Sequence, residues 1–347
     1  MFDFLFEYGL FAAKVITILL AILGTFMGFM ILLSSRQTER ESIEIENLND
    51  KFETMRDALE VEILSKDEFK ALKKERKKEE KIKEKEEKKR LKDGHSEPLR
   101  PRLFALRFDG DLNASEVDSL REVITAVLAV AKPEDEILLI LDSPGGIVHN
   151  YGLAASQLQR IRSRNIPLVV CIDLVAASGG YLMASVANKI LAAPFAIVGS
   201  IGVLAQIPNF HRLLKKHDID VEQLTAGEYK TTLTMFGENT TKAREKFREE
   251  LEDTHKLFKD FVVQHRPSLD INKLATGEYW YGTQAIDLNL VDEIITSDEY
   301  LLQRSKDRDI YQVSYVIHQS LSEKISTFVS DVSSRLMQRF FNTKAGF

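Results

Sequence analysis

Residues 15–33 form an uncharged apolar run of 19 residues, and no other stretch restricts the chain so tightly. As a helix it would be about 30 Å long, the thickness of the hydrocarbon core of a bilayer. The expectation is a single transmembrane helix within residues 1–35. A cleaved signal peptide is the alternative, but its apolar region is shorter and ends in small residues, whereas this run passes into Leu33-Ser34-Ser35-Arg36. Lys14 precedes the run while Arg36 and Arg40 follow it, which favours a cytoplasmic carboxyl side. Long domains cross membranes largely regardless of such charges, so the bias does not settle orientation.

Residues 36–100 read as an arm. Ile45, Leu48, Phe52, Met55 and Leu59 alternate steps of three and four, predicting an amphipathic helix over residues 41–64 with a stripe narrow enough for a coiled-coil seam between subunits. Residues 66–92 then hold 14 basic and 8 acidic residues, with Glu79/Lys83, Glu84/Lys88 and Glu86/Arg90 at helix-favouring spacing. This is a solvated helix, serving as a spacer or attracted to anionic lipid. Asp93-Gly94 and Pro98 end it.

From residue 101 the texture changes to short apolar runs alternating with helical periods, the pattern of an α/β domain with parallel strands. Strands are expected over residues 103–108, 137–141, 168–172, 189–192 and 197–204, and helices over 114–130, 148–162 and 179–187. Ser115 and Asp118 suit the start of the first helix. The body runs to about residue 295, and residues 296–347 form a carboxyl-terminal extension. Within it Leu321, Ile325, Phe328, Val332 and Leu336 recur at helical spacing, predicting an amphipathic helix. The net charge of -6 gives no basic field, so nucleic acid is not an implied partner. Cys171 is the only cysteine, which excludes an internal disulfide, and its apolar run places it in the core.

Two glycine-rich turns follow predicted strands at equivalent places: Asp142-Ser143-Pro144-Gly145-Gly146 and Ala176-Ala177-Ser178-Gly179-Gly180. In open α/β folds ligands gather at the carboxyl ends of strands, where helix amino termini point N–H groups at negative charge. Two such turns can form an oxyanion hole, and Ser178, at a helix start among small residues, is sited as a nucleophile. Ala-Ser-Gly-Gly alone would also suit a serine-capped turn; the pairing of the turns favours chemistry. A serine needs a base. None of His95, His149, His211, His217, His255, His265 and His318 accompanies a comparable turn, and each reads as a surface histidine. Lys230, between Gly227-Glu228-Tyr229 and Thr231-Thr232, sits among small polar residues, and a buried lysine can lose its charge and act as a base.

In order along the chain, Ser143-Pro144-Gly145-Gly146, Ala177-Ser178-Gly179-Gly180-Tyr181, Gly199-Ser200-Ile201-Gly202-Val203 and Gly227-Glu228-Tyr229-Lys230 resemble the motifs of the bacterial signal peptide peptidase A family. The likeness covers residues 101–295, and the anchor and arm resemble its single-copy members. It implies the Clp protease/crotonase-like spiral of repeated ββα units, with Ser178 as nucleophile and Lys230 as general base. It further implies that Ser200 helps hold the lysine amine and that the Gly146 and Gly179 N–H groups form the oxyanion hole. Where Clp peptidases carry histidine this chain has Val203, which removes the Ser-His-Asp version. Asn289 stands where the family has glycine, and asparagine tolerates the left-handed conformation that ends a helix.

The implied activity is a serine endopeptidase with no cofactor and no metal, acting on polypeptide substrates such as signal peptide remnants. The resemblance places it as a single-pass protein of the bacterial inner membrane, with the catalytic domain periplasmic and the chain a homo-oligomer in which Ser178 and Lys230 can meet between subunits. Two other readings remain at this point: a crotonase-type acyl-CoA lyase or isomerase, which shares the paired turns, and a membrane scaffold that keeps the fold without the chemistry.

Overall fold

Runs of branched and leucine side chains with no polar interruption make strands that are buried on both faces, and they fix the centre of the structure. The structure is a computed structural model that describes residues 2–34, 40–94 and 100–318. Its chain forms α1 (Phe2–Ser34), β1 (Arg40–Asn47), α2 (Leu48–Ile63) and α3 (Lys66–Lys92). Next come β2 (Arg102–Asp109), α4 (Val117–Val130), β3 (Glu136–Asp142), α5 (Val148–Arg162), β4 (Leu168–Ile172), β5 (Val175–Ala177) and α6 (Gly179–Ser185). The remainder is β6 (Lys189–Ala192), β7 (Ile197–Gly199), α7 (His211–Lys216), α8 (Thr241–His265), α9 (Ile271–Leu274), β8 (Tyr279–Tyr281), α10 (Gly282–Ala285), β9 (Glu293–Ile294), α11 (Ser297–Arg304) and β10 (Asp309–His318).

The large sheet has the order β1-β10-β2-β3-β4-β6-β9, and each strand from β10 to β9 pairs parallel with the next. Ile137, Leu138, Leu139 and Leu141 of β3, the sheet's middle strand, are fully buried, each contributing about 1.5–3 kcal/mol of hydrophobic stabilisation. A small sheet, β5-β7-β8, stands beside it, with β5 and β7 parallel and β8 antiparallel. A single parallel bridge, Ser143 to Ala176, joins the carboxyl end of β3 to β5. That bridge brings the two glycine-rich turns together.

The chain divides into two units: one comprises Met1–Ile43 with Tyr315–Phe347, the other Glu44–Ser314. In the first, the Thr17 and Thr25 hydroxyls of α1 donate to the carbonyls of Ala13 and Ala21, so neither leaves its proton unpaired. Among the described residues no helix is long and apolar enough to cross a membrane, so the expected span over residues 15–33 remains an inference from sequence. The amphipathic helix expected within residues 296–347 falls mostly on residues outside the described ones.

The second unit reaches past the boundaries drawn at 101 and 295. Leu48 of α2 is buried with Leu103, Leu301 and Ile310, and Phe52 packs on the same cluster. The stripe expected to join subunits is thus partly spent on the chain's own core. The first part of the expected helix over residues 41–64 is instead β1, because Ser42-Ile43-Glu44-Ile45-Glu46 alternates with the period of a strand and Asn47 starts the helix. The Asn47 side chain accepts the N–H groups of Asn49 and Asp50. The charged helix over residues 66–92 forms as read, and Arg76 of α3 grips Glu60 of α2 at 2.6 Å.

Most strands and helices of the body match expectation, with α5 matching to the residue. Helix α4 starts late because Asp111 takes the N–H groups of Asn113 and Ser115, holding that segment as a turn. Strand β7 stops at Gly199, whose φ of 98° is followed by a φ of 51° at Ser200, two left-handed residues that no strand accommodates. Asn289 has φ 58°, as its place after α10 led us to expect.

Candidate active site

Ser178 joins β5 to α6 with φ 52° and ψ -118°, a conformation closed to most side chains and held by its surroundings. Its N–H donates to Gly199 O at 2.8 Å and its carbonyl accepts Leu182 N–H at 3.0 Å, so both backbone groups are committed. Ser143 N–H donates to Val175 O at 2.7 Å and Ala177 N–H donates to Ser143 O at 3.0 Å, stitching the first turn to the second. The approach is so close that glycine alone fits. A Cβ on Gly145 would lie 2.6 Å from Ala177 O and 2.8 Å from Ser178 Cβ, and one on Gly179 would lie 2.4 Å from Tyr151 Cγ.

Ser178 lies where two clefts meet. One, of about 540 Å³, is lined by Ser178, Ser200, Arg248, Glu252, His255 and Gly277 among others. The other, of about 180 Å³, is apolar and includes Gly146, Gly179, Leu182, Leu257, Phe258 and Phe261. Helix α8 forms a wall of both. Ser200 is placed by its N–H bond to Glu278 O at 2.7 Å, and its hydroxyl reaches Gly277 O at 3.4 Å.

The structure therefore gathers four of the five residues singled out from sequence: Ser178, Ser200, Gly146 and Gly179. Lys230 is not with them. It is exposed in the loop between α7 and α8 and lines neither cleft. Its neighbour Tyr229 lies under the ammonium groups of Lys242 and Lys246, at 5.8 and 5.5 Å, and Lys242 pairs with Glu228 at 2.5 Å. These contacts fix the loop's base without turning Lys230 toward Ser178.

Sequence reasoning set His255 aside as a surface histidine, and the structure corrects this. His255 lies on α8 facing the Ser178 cleft, and its buried Nε2 has no hydrogen-bond partner among the described residues. Nothing in Asp253-Thr254-His255-Lys256 distinguishes it from a surface histidine; only the docking of α8 does. Cys171, by contrast, is buried in β4, where loss of solvent and the nearby Asp173 push its thiol far above the ordinary range and make it inert as a nucleophile.

Comparison with known proteins decides the family. Two family models tile the chain, Peptidase family S49 N-terminal over residues 3–158 and Peptidase family S49 over residues 160–310. The chain is 52% identical over 343 residues to Probable protease SohB of Haemophilus influenzae, covering 97% of this chain and 96% of that one. The chain belongs to peptidase family S49. This S49 peptidase is also 46% identical over 304 residues to Probable protease SohB of Buchnera aphidicola, covering 87% of this chain and 100% of that one. It is 26% identical over 234 residues to Protease 4 of Haemophilus influenzae, covering 64% of this chain and 38% of that longer one. The S49 models span both glycine-rich turns, so the paired turns belong to a peptidase and not to a lyase.

Proposed function

We propose that this S49 peptidase is a membrane-anchored serine endopeptidase in which Ser178 attacks the scissile carbonyl, Lys230 takes its proton, and Ser200 holds the lysine amine. The Gly146 and Gly179 N–H groups then stabilise the tetrahedral oxyanion, and water hydrolyses the resulting acyl-enzyme. The observation that carries the reading is the strained Ser178 at the junction of an apolar cleft and a polar one, backed by two interlocked turns. The apolar cleft suits a substrate residue such as leucine, in keeping with remnants of signal peptides or unfolded membrane-associated chains. The pairing of β4 and β6 in one sheet with β5 and β7 in the other supports a Clp protease/crotonase-like spiral.

Because Lys230 stands away from Ser178, the dyad is assembled between neighbouring subunits of a homo-oligomer. The loop that carries Lys230 supports this, since its Leu224 is 93% exposed and wants a partner surface. The uncharged run over residues 15–33 anchors the chain once in the bacterial inner membrane, with the body on the periplasmic side.

Casein and apolar peptide hydrolysis by the full chain in detergent, beside Ser178→Ala and Lys230→Ala, tests the dyad. Each variant alone is inactive. Mixed and reassembled, they regain activity in about a quarter of sites, as random placement around a closed assembly requires. Full activity in either single variant would remove that residue from the mechanism. A second base stands within the chain, since His255 lines the Ser178 cleft; activity lost in His255→Gln and kept in Lys230→Ala would move the role to it.

A further inference from the structure

Behind the two turns lies a buried chain of hydroxyl groups that the chemistry above does not use. Tyr151 is fully buried on α5, and so is Ser143 at the end of β3. The Tyr151 hydroxyl lies 2.5 Å from Ser143 Oγ and donates to Asp111 O at 2.7 Å, while Gly145 N–H donates to Ser143 Oγ at 3.1 Å. Each hydroxyl has one proton, so the direction follows. With the Tyr151 proton given to Asp111 O, Ser143 must donate to Tyr151, which leaves its lone pair for Gly145 N–H. Burial pushes the Tyr151 phenol above its ordinary range, outweighing the Ser143 hydrogen bond, so it keeps its proton at working pH. The far end of the relay is itself fixed, because Asp111 binds Asn113 and Ser115 N–H, and Leu112 O accepts Ile147 N–H at 2.9 Å. The same side chain reaches the other turn through its ring, against which Gly179 packs so closely that a methyl group would clash.

We infer that Tyr151 is a positioning residue of the oxyanion pocket, holding the Gly145-Gly146 turn through its hydroxyl and Gly179 through its ring, and so setting the separation of the two N–H donors. This rests on the reading of Ser178 as nucleophile. Two donors aimed at one oxygen lose effect when either drifts, since their value lies in needing no reorganisation as the charge develops. The ring sets one donor and the hydroxyl the other, so a change that keeps the ring isolates the hydroxyl's part.

The test is Tyr151→Phe in the full chain. Peptide turnover falls about ten-fold in kcat, a fraction of the 100-fold or more that losing a donor outright costs. KM stays within about two-fold, because ground-state binding does not use the oxyanion donors. A peptide aldehyde, which forms a tetrahedral adduct at the serine, weakens by the factor lost from kcat, whereas the matching peptide amide binds unchanged. Amide hydrogen exchange accelerates in residues 143–147 while that of β3 and β4 is preserved. Adding Tyr151→Phe to Ser143→Ala costs nothing further, since Ser143→Ala has already broken the relay. An unchanged kcat, an effect confined to KM, or unaltered exchange in residues 143–147 would each overturn the inference. If Ser178→Ala keeps full activity, the nucleophile assignment falls instead, and the exchange measurement still decides whether Tyr151 holds the turn.

Discussion

Asp135 offers the cleanest test of how the body is held. Its carboxylate is fully buried and takes four hydrogen bonds: Oδ1 accepts Arg102 N–H at 2.9 Å and Nε at 3.1 Å, and Oδ2 accepts Arg102 Nη2 at 2.6 Å and Lys132 N–H at 2.8 Å. One side chain thereby ties the start of β2 to the turn before β3. Removing one partner of a buried ion pair costs about 3–5 kcal/mol. Arg102 is 22% exposed and can recover some water, which puts Asp135→Ala near the lower end, at about 3 kcal/mol. For a body of this size that is roughly a 6–12 °C fall in the midpoint of thermal unfolding. Asp135→Asn, which keeps the shape but turns an amide toward Arg102, loses about 2 kcal/mol.

The pH dependence follows from the sign of the shift. Burial raises the Asp135 carboxyl, but the Arg102 side chain and the Lys132 and Arg102 N–H groups outweigh it, leaving the pKa below its ordinary value. With the folded pKa depressed, the stabilisation is complete above the unfolded value of about 3.9 and is lost as pH falls through the folded value. Urea unfolding of the native chain and of Asp135→Asn, followed by circular dichroism, should therefore show a constant gap from neutral pH down to about 4 and a closing gap below it. A loss under about 1 kcal/mol for Asp135→Ala at neutral pH, or a gap that widens in acid, would refute the reasoning.

Three further outcomes are expected. Gly179→Ala drives a methyl into the Tyr151 ring, costing about 1–3 kcal/mol of stability and lowering turnover on the order of 100-fold, measured by unfolding and peptide hydrolysis side by side. Leu257→Asp places a charge in the apolar cleft and raises KM for apolar peptides at least about ten-fold with a smaller change in kcat, a split that steady-state kinetics resolves. Arg266→Met strands the Asp292 carboxylate, which Arg266 grips at 2.7 Å, and lowers stability by about 3 kcal/mol in a thermal melt while leaving the Ser178 clefts intact.

The sheet was legible because β3 and β4 are apolar runs that water would reject in any arrangement, and the two glycine-rich turns were legible because close backbone approach leaves a glycine signature. β1 was not, since Ile43 and Ile45 carry a strand's alternation that the longer helical stripe through Leu48 and Phe52 overrides by eye. β10 was passed over for another reason: its residues pair with β2 more than 200 positions earlier, and no local pattern records that. At the site, the place of Ser178 at a strand-to-helix turn could be read from its neighbours. The place of Lys230 could not, because a loop's path and its packing partners are set by surfaces beyond its own sequence. His255 shows the same limit, since its part depends on where α8 docks.

The edge of the sheet is closed by the two extremes of the body. Asn49 donates to Ser305 O and Arg308 O, and Ile310 N–H donates back to Asn49 Oδ1 across 261 positions of sequence. On the ribosome these groups emerge first and last. The serine and both glycine-rich turns are therefore made more than 100 positions before Ile310 completes the clasp. A chain cut short before β10 lacks the strand that pairs with β2 on that side.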